Sequence, residues 1–330
     1  MIPRLEIHFD STERRWFREG REYSMPKGEF WLNHCRSGIQ LALQTLDLKP
    51  QTGVGMMVYN CHTVMNAIWQ AGCKPIFVDV TDGITIDMDD LARKREQMQV
   101  LIVTHLFGIV NDVKEIKKRY PDLIVIEDCA HCFGHEIVGE YGVYSIGQGK
   151  FPSIGDGGIL KVKGERLKVI GDMYAELPSY SRKQEAKLYL RLWMMAMMYS
   201  NGLYWLTRRL KGKRVEMDVR EEVTMRKMSR GIANILTHKR AGYKETVQER
   251  IHNALQIKDV MIGENAFMAV VRADEPEALK KEFAKRGIET ETHFKHCIDW
   301  AKQFGYIEES CPNVEKLVNN LIMIPTYTRI

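Results

Sequence analysis

Apolar residues in this chain fall into two alternating patterns. Short runs rich in β-branched residues and bounded by turn formers recur at residues 54–59, 75–80, 100–103, 123–126, 159–162 and 266–271. Runs of that length read as strands, and 123–126, set between Pro121-Asp122 and Glu127-Asp128, reads as one buried on both faces. Between them, residues 39–46, 64–71 and 275–286 repeat apolar positions at helical spacing, the last ended by Gly287. A charged helix follows Asp87, and a long charged helix spans 239–255. Strand, helix and strand in alternation is the βαβ pattern, which predicts an α/β fold with a parallel sheet and right-handed crossovers.

Two stretches fall outside that pattern. Residues 1–32 are charged and aromatic without a clear period and read as an N-terminal arm. Residues 188–206, LYLRLWMMAMMYSNGLYWL, lie within a segment, 182–214, that holds nine Lys or Arg and one acid, Glu185. Arg191, Ser200, Asn201 and Gly202 interrupt the apolar run, so nothing near the ~20 residues a spanning helix needs remains. The favoured reading is a buried or oligomer-facing helical hairpin. A helix pair lying on an anionic membrane through Trp, Met and flanking cations is the second.

Length and charge narrow the picture further. A chain of 330 residues, 45% of them hydrophobic, exceeds what one core usually supports and predicts two lobes. A net charge of +5 is too mild to imply nucleic acid. The seven cysteines (35, 61, 73, 129, 132, 297 and 311) are odd in number and scattered, and Met1 leads straight into charged sequence. Reduced thiols in the cytoplasm are expected, not a disulfide framework.

The candidate chemistry sits in residues 124–158. Asp128 follows a buried strand, at the sheet edge where open α/β folds bind ligands. Lys150 stands alone among small residues, between Gly147-Gln148-Gly149 and Phe151-Pro152. A strand-end carboxylate and a loop lysine are the groups pyridoxal phosphate (PLP) chemistry needs. The lysine forms a Schiff base, and the carboxylate keeps the pyridine nitrogen protonated. Ser37 reads as the N-cap of the 39–46 helix, whose free amides make an anion site. Cys129, His131 and Cys132 are too few and too close for a tetrahedral metal site, so no metal is expected.

The order Glu127-Asp128-x-Ala130-x-x-x-Gly134, Ser145-x-x-x-x-Lys150 and Gly155-Asp156-Gly157-Gly158 resembles the core of the DegT/DnrJ/EryC1/StrS family. These are PLP-dependent sugar aminotransferases of the aspartate-aminotransferase fold (fold type I). The resemblance extends in unbroken order to residues 37–42, 66–80, 105–108 with Asp112, 225–235, 287–294 and 311–325. It implies a doubly wound, mainly parallel PLP domain over residues 33–180 and a smaller C-terminal α/β lobe over 215–330. The apolar, basic segment 181–214 would be a helical insertion between them.

The resemblance also assigns roles. Lys150 would form the Schiff base and carry the proton, and Asp128 would hold the pyridinium. His131, where the family commonly has glutamine, would touch the phenolic oxygen. Ser145 and the amides of Gly38 and Ile39 would hold the phosphate, although Ile39 replaces a threonine. Ungapped counting puts Cys61 where an aromatic ring covers the cofactor, so either His62 covers it or that face is bare. His105 would be a floor residue, and Thr224 replaces the asparagine that reaches the partner subunit. The implied reaction is ping-pong transfer of an amino group from a donor such as glutamate to a keto-sugar, nucleotide-linked or otherwise, in a homodimer with a shared site. A degenerate member acting as a PLP-binding or non-catalytic scaffold, peripheral to a membrane, is the alternative. The related dehydratases carry histidine in place of the lysine, so Lys150 argues against dehydration.

Overall fold

The computed structural model describes residues 2–3, 7–20, 23–200, 204 and 219–327. The second part of the expected hairpin, 201–203 and 205–214, lies outside the described residues.

Seven strands form the larger sheet: β1 (Glu29–Leu32), β2 (Gly53–Met57), β3 (Lys74–Val78), β4 (Val100–Thr104), β5 (Ile124–Cys129), β6 (Tyr141–Ser145) and β7 (Gly158–Val162). Their spatial order is β1-β7-β6-β5-β4-β2-β3. The run from β3 to β6 is parallel, while β7 and β1 close one edge antiparallel. The order steps outward from β4 in both directions, as a mainly parallel doubly wound sheet requires. Of the apolar runs read as strands, β2 and β4 are buried throughout, and β5, which holds the run read as buried on both faces, is buried except for the half-buried Ile124; β6, also wholly buried, lies outside the expected strands. Helices α2 (Cys35–Gln44) and α3 (His62–Gln70) supply crossovers, with α2 packed on β6 and β7. A second, antiparallel sheet is built from β8 (Val260–Ile262), β9 (Ala269–Arg272), β10 (Glu291–Thr292) and β11 (Leu321–Ile324) in the order β10-β11-β9-β8.

Two expectations are sharpened. Residues 1–32, expected as an arm without a clear period, carry a helix, α1 (Ser11–Arg18), and the edge strand β1. The helix is closed by a capping box in which Asp10 and Glu13 bond each other's backbone N–H groups. The long helix expected over 239–255 is two, Arg230–Ala241 and Tyr243–Ala254, divided at Gly242. Glycine is the weakest ordinary helix former, and the helical period continues on either side of it. The Arg230–Ala241 helix packs on the larger sheet, its Ile232, Ala233, Ile235 and Leu236 joining Trp31, Tyr144 and Ile159 in one core cluster.

The 17-residue helix Arg182–Met198 takes up most of the described part of the segment expected as an insertion. It buries Leu188 and Leu192 but leaves Leu190, Trp193, Met194 and Met197 exposed. Among the described residues no helix is long and apolar enough to cross a membrane.

Gly158 opens β7 directly beneath the start of α2. A Cβ there would fall inside contact distance of the backbone of His34 and Cys35, which cannot swing aside as a side chain can. Gly158→Ala is therefore expected to cost about 1–3 kcal/mol of overpacking. It should also weaken PLP binding, because α2 must shift. Denaturant unfolding and a cofactor titration check the two effects separately.

Candidate active site

The carboxyl ends of β4 and β5 lie side by side, with Thr104 and Asp128 paired in register. The chain leaving β2 arrives beside them at Asn60 and Cys61, and the loop after β6 returns over them carrying Lys150. These groups line one cavity of about 260 Å3, together with Cys35, Arg36, Ile39, His131, Ser145 and Phe294.

Asp128 is buried, and among the described residues its hydrogen bonds come from neutral donors. The Ala130 N–H lies 3.0 Å from Oδ1, the Thr104 hydroxyl donates to Oδ2 at 3.2 Å, and the Cys35 thiol stands 4.0 Å away. Thr104 is itself held by the Asn60 amide, which donates to its Oγ1 at 2.7 Å. Burial pushes the Asp128 carboxyl above its usual range, and the Ala130 N–H, the nearby Lys150 amine and the Thr104 hydroxyl only partly oppose that.

Lys150 faces His131: Nζ and Nε2 are 2.8 Å apart. The other ring nitrogen settles the His131 tautomer. The Phe107 N–H donates to His131 Nδ1 at 3.1 Å, so Nδ1 carries the lone pair and the ring proton sits on Nε2. Phe107 takes a positive φ of 57°, unusual for a bulky residue, and that turn aims its amide at the ring. Burial, with Lys150 and His293 close by, holds the His131 imidazole well below its usual range, so it stays neutral. Phe267 stacks on the same ring at 4.5 Å and Phe294 lies parallel to it at 6.0 Å.

At the opposite end of the cavity lies the N-terminus of α2. The helix begins at Cys35 after His34, which has extended backbone and no side-chain cap. Ser37 is therefore not the N-cap; it lies in the first turn, and its hydroxyl donates to Asn33 Oδ1 at 3.0 Å. The unpaired amides of an α-helix are those of its first turn. Here they belong to Cys35, Arg36 and Ser37, whereas the N–H groups of Gly38 and Ile39 point back into the helix. Ile39 still lines the cavity; Gly38 does not, but packs against Val143 and Leu160. The Ser145 hydroxyl accepts from the Gly147 N–H at 3.4 Å and lines the same end. Arg36 also reaches it, its guanidinium paired with Glu221.

Of the two candidates for the ring face, Cys61 lines the cavity, while His62 meets the edge of Trp300 at 4.9 Å. Thr224 offers its carbonyl to the Asn33 side chain at 3.0 Å. His105 lies behind the cavity, fully buried, with Nε2 2.9 Å from Glu127 and the Asn111 N–H donating to Nδ1 at 3.2 Å. Glu127 also accepts from the Val138 and Gly139 N–H groups at 2.5 and 2.6 Å. Burial raises the Glu127 carboxyl, yet the donors from His105, His135 and Gly139 outweigh it and hold the group at about 2.

The sequence reading did not single out Arg36, Thr104, Phe107 or Phe267. Thr104 was within reach, because it ends a strand beside Asp128; Phe267 comes from the second lobe and has no local signal.

A profile of the DegT/DnrJ/EryC1/StrS aminotransferase family matches residues 18–192. The uncharacterized protein MJ1066 of Methanocaldococcus jannaschii is 25% identical over 341 residues, covering 94% of this chain and 83% of that protein. UDP-N-acetyl-3-dehydro-alpha-D-glucosamine 3-aminotransferase of Acidithiobacillus ferrooxidans is 33% identical over 143 residues, covering 38% of each chain. Among solved structures, Spr1654 from Streptococcus pneumoniae in its PMP form superposes with a TM-score of 0.74 at 16% identity, covering 100% of this chain and 95% of that one. At that identity the likeness is one of fold.

Proposed function

Because this chain belongs to the DegT/DnrJ/EryC1/StrS aminotransferase family and is thus a PLP-dependent aminotransferase, we propose that it transfers an amino group from glutamate to a nucleotide-linked keto-sugar. The observation that carries this reading is Asp128: a buried carboxylate, hydrogen-bonded by neutral donors, on one cavity wall with Lys150. Such a charge is costly unless a cation meets it, and a protonated pyridine nitrogen is a cation of the right shape. The residues present therefore fit PLP.

When bound, PLP supplies an aldehyde that condenses with amines and a ring that takes up electrons. The protein's own residues do the rest. Asp128 keeps a proton on the ring nitrogen and is oriented by Thr104 and Asn60. Lys150 Nζ is the nucleophile and, once released, holds and moves the substrate proton. His131, its proton set on Nε2 by the Phe107 amide, directs that N–H into the cavity beside Lys150. The amides of Cys35, Arg36 and Ser37, with Ser145, hold the phosphate at the positive end of α2. Phe267 and Phe294 exclude water around His131. The nucleotide-linked substrate is inferred from the name of the Acidithiobacillus relative.

The test is a pair of half-reactions on the PLP-loaded protein. Glutamate should bleach the visible absorbance, and a nucleotide-linked keto-sugar should restore it. Absorbance indifferent to every common amino donor would overturn the transaminase reading and leave the scaffold alternative standing.

A further inference from the structure

A second cluster of chemically active side chains lies behind the cavity. Cys132 Sγ, His135 Nδ1 and Glu264 Oε2 all fall within 4.8 Å of one another. Glu264 Oε2 is 3.7 Å from the thiol and 2.9 Å from the imidazole. Cys132 and His135 share one turn, closed by the His135 N–H donating to the Cys132 carbonyl at 3.1 Å, so C-x-x-H spacing puts both side chains on one side. Glu264 arrives from the second lobe, on the loop between β8 and β9. The Glu264 N–H donates to the Gly108 carbonyl at 2.8 Å, and Gly263 presses so closely on Gly108 that any Cβ would clash with backbone.

We propose that Cys132, His135 and Glu264 form a zinc site that clamps the second-lobe loop onto the turn carrying His131. Three independent features converge on zinc. One thiol, one imidazole and one carboxylate make a three-ligand set that zinc takes in tetrahedral geometry, with the fourth position left to water. The ring is already backed as metal-bound histidines are, since Nε2 lies 3.5 Å from Glu127 Oε2 and leaves Nδ1 for the ion. Glu127 is in turn fixed by His105 and by two backbone amides. Those bonds fill Glu127's own acceptor positions, so it orients the site and is not a ligand. An entry path exists as well: the Glu264 side chain is half exposed, and His135 lines a separate cavity of about 280 Å3. The ion would replace the protons on His135 Nδ1 and Cys132 Sγ, so binding releases protons and tightens as pH rises. This departs from the expectation of no metal, which weighed Cys129, His131 and Cys132; neither His135 nor Glu264 stood out in the linear sequence.

The experiment uses the untagged full-length chain, cofactor-free and dialysed against chelator, so its outcome is independent of transaminase activity. Zinc is titrated against a chromophoric competitor, and cobalt(II) is followed by absorption. The expected result is one equivalent of zinc and a sulfur-to-cobalt charge-transfer band in the near ultraviolet. Glu264→Gln, at a half-exposed position that should still fold, should weaken binding at least ~10-fold, and Cys132→Ser should remove the charge-transfer band. Circular dichroism verifies that both variants fold. Zinc uptake that is absent, or unchanged in Glu264→Gln, overturns the site, as does cobalt binding without a sulfur band.

Discussion

Lys150→Ala is expected to abolish the visible absorbance of the PLP-loaded protein and to lower transamination by roughly 10^3-fold or more. Two losses combine. The nucleophile that joins cofactor to protein disappears, and so does the base that moves the substrate proton, a function worth about 10^2–10^4-fold by itself. The structure gives a reason to expect a clean effect. Lys150 lies in a loop, and its amine contacts His131 without holding any element in place. Folding should therefore survive, and PLP should still bind noncovalently at the N-terminus of α2, more weakly. Borohydride reduction followed by peptide mapping should find the cofactor on Lys150 in the parent and on no peptide of the variant. Activity within tenfold of the parent would remove Lys150 from the role proposed for it.

How much of this could be read from the chain differs by residue, and locality explains the difference. Asp128 and Lys150 stood out because a buried strand and a small-residue loop mark them within a few positions. The start of α2 did not, because its N-cap, His34, makes no side-chain bond, while Ser37 has the composition of a cap but bonds Asn33 from inside the helix. The reading proposed above therefore places the phosphate at the amides of 35–37, where 38–39 were expected. Strand β6 was missed because Gly142 breaks its apolar run. That glycine is needed where Ile137 crosses the strand, since a Cβ there would clash with the Ile137 side chain. Strand β1 is only four residues long and lies at an edge, next to charged sequence. The surroundings of His131 are the extreme case. Phe107, Phe267 and Phe294 come from three separate segments, and only tertiary folding brings them to one ring.

Asp128→Asn tests the other pole of the site, and its cost should divide between two measurements. Removing the charge while keeping the shape leaves the ring nitrogen without its counter-ion. Losing one partner of a buried pair costs about 3–5 kcal/mol, which corresponds to roughly 10^2–10^4-fold in kcat. Stability should fall far less. The carboxylate accepts from both the Ala130 N–H and the Thr104 hydroxyl, whereas an asparagine amide can accept at only one of those positions. One buried donor is then left facing an NH2 group, at about 1–3 kcal/mol. Burial offsets part of that cost, because it already pushes the Asp128 carboxyl upward before any cofactor binds. In the cofactor-free protein the neutral asparagine should thus be nearly as stable as aspartate, with the large deficit emerging only once PLP is bound. Denaturation midpoints with and without PLP, set beside kcat, measure that divergence. A variant equally destabilised in both states would show that Asp128 serves the fold and not the ring.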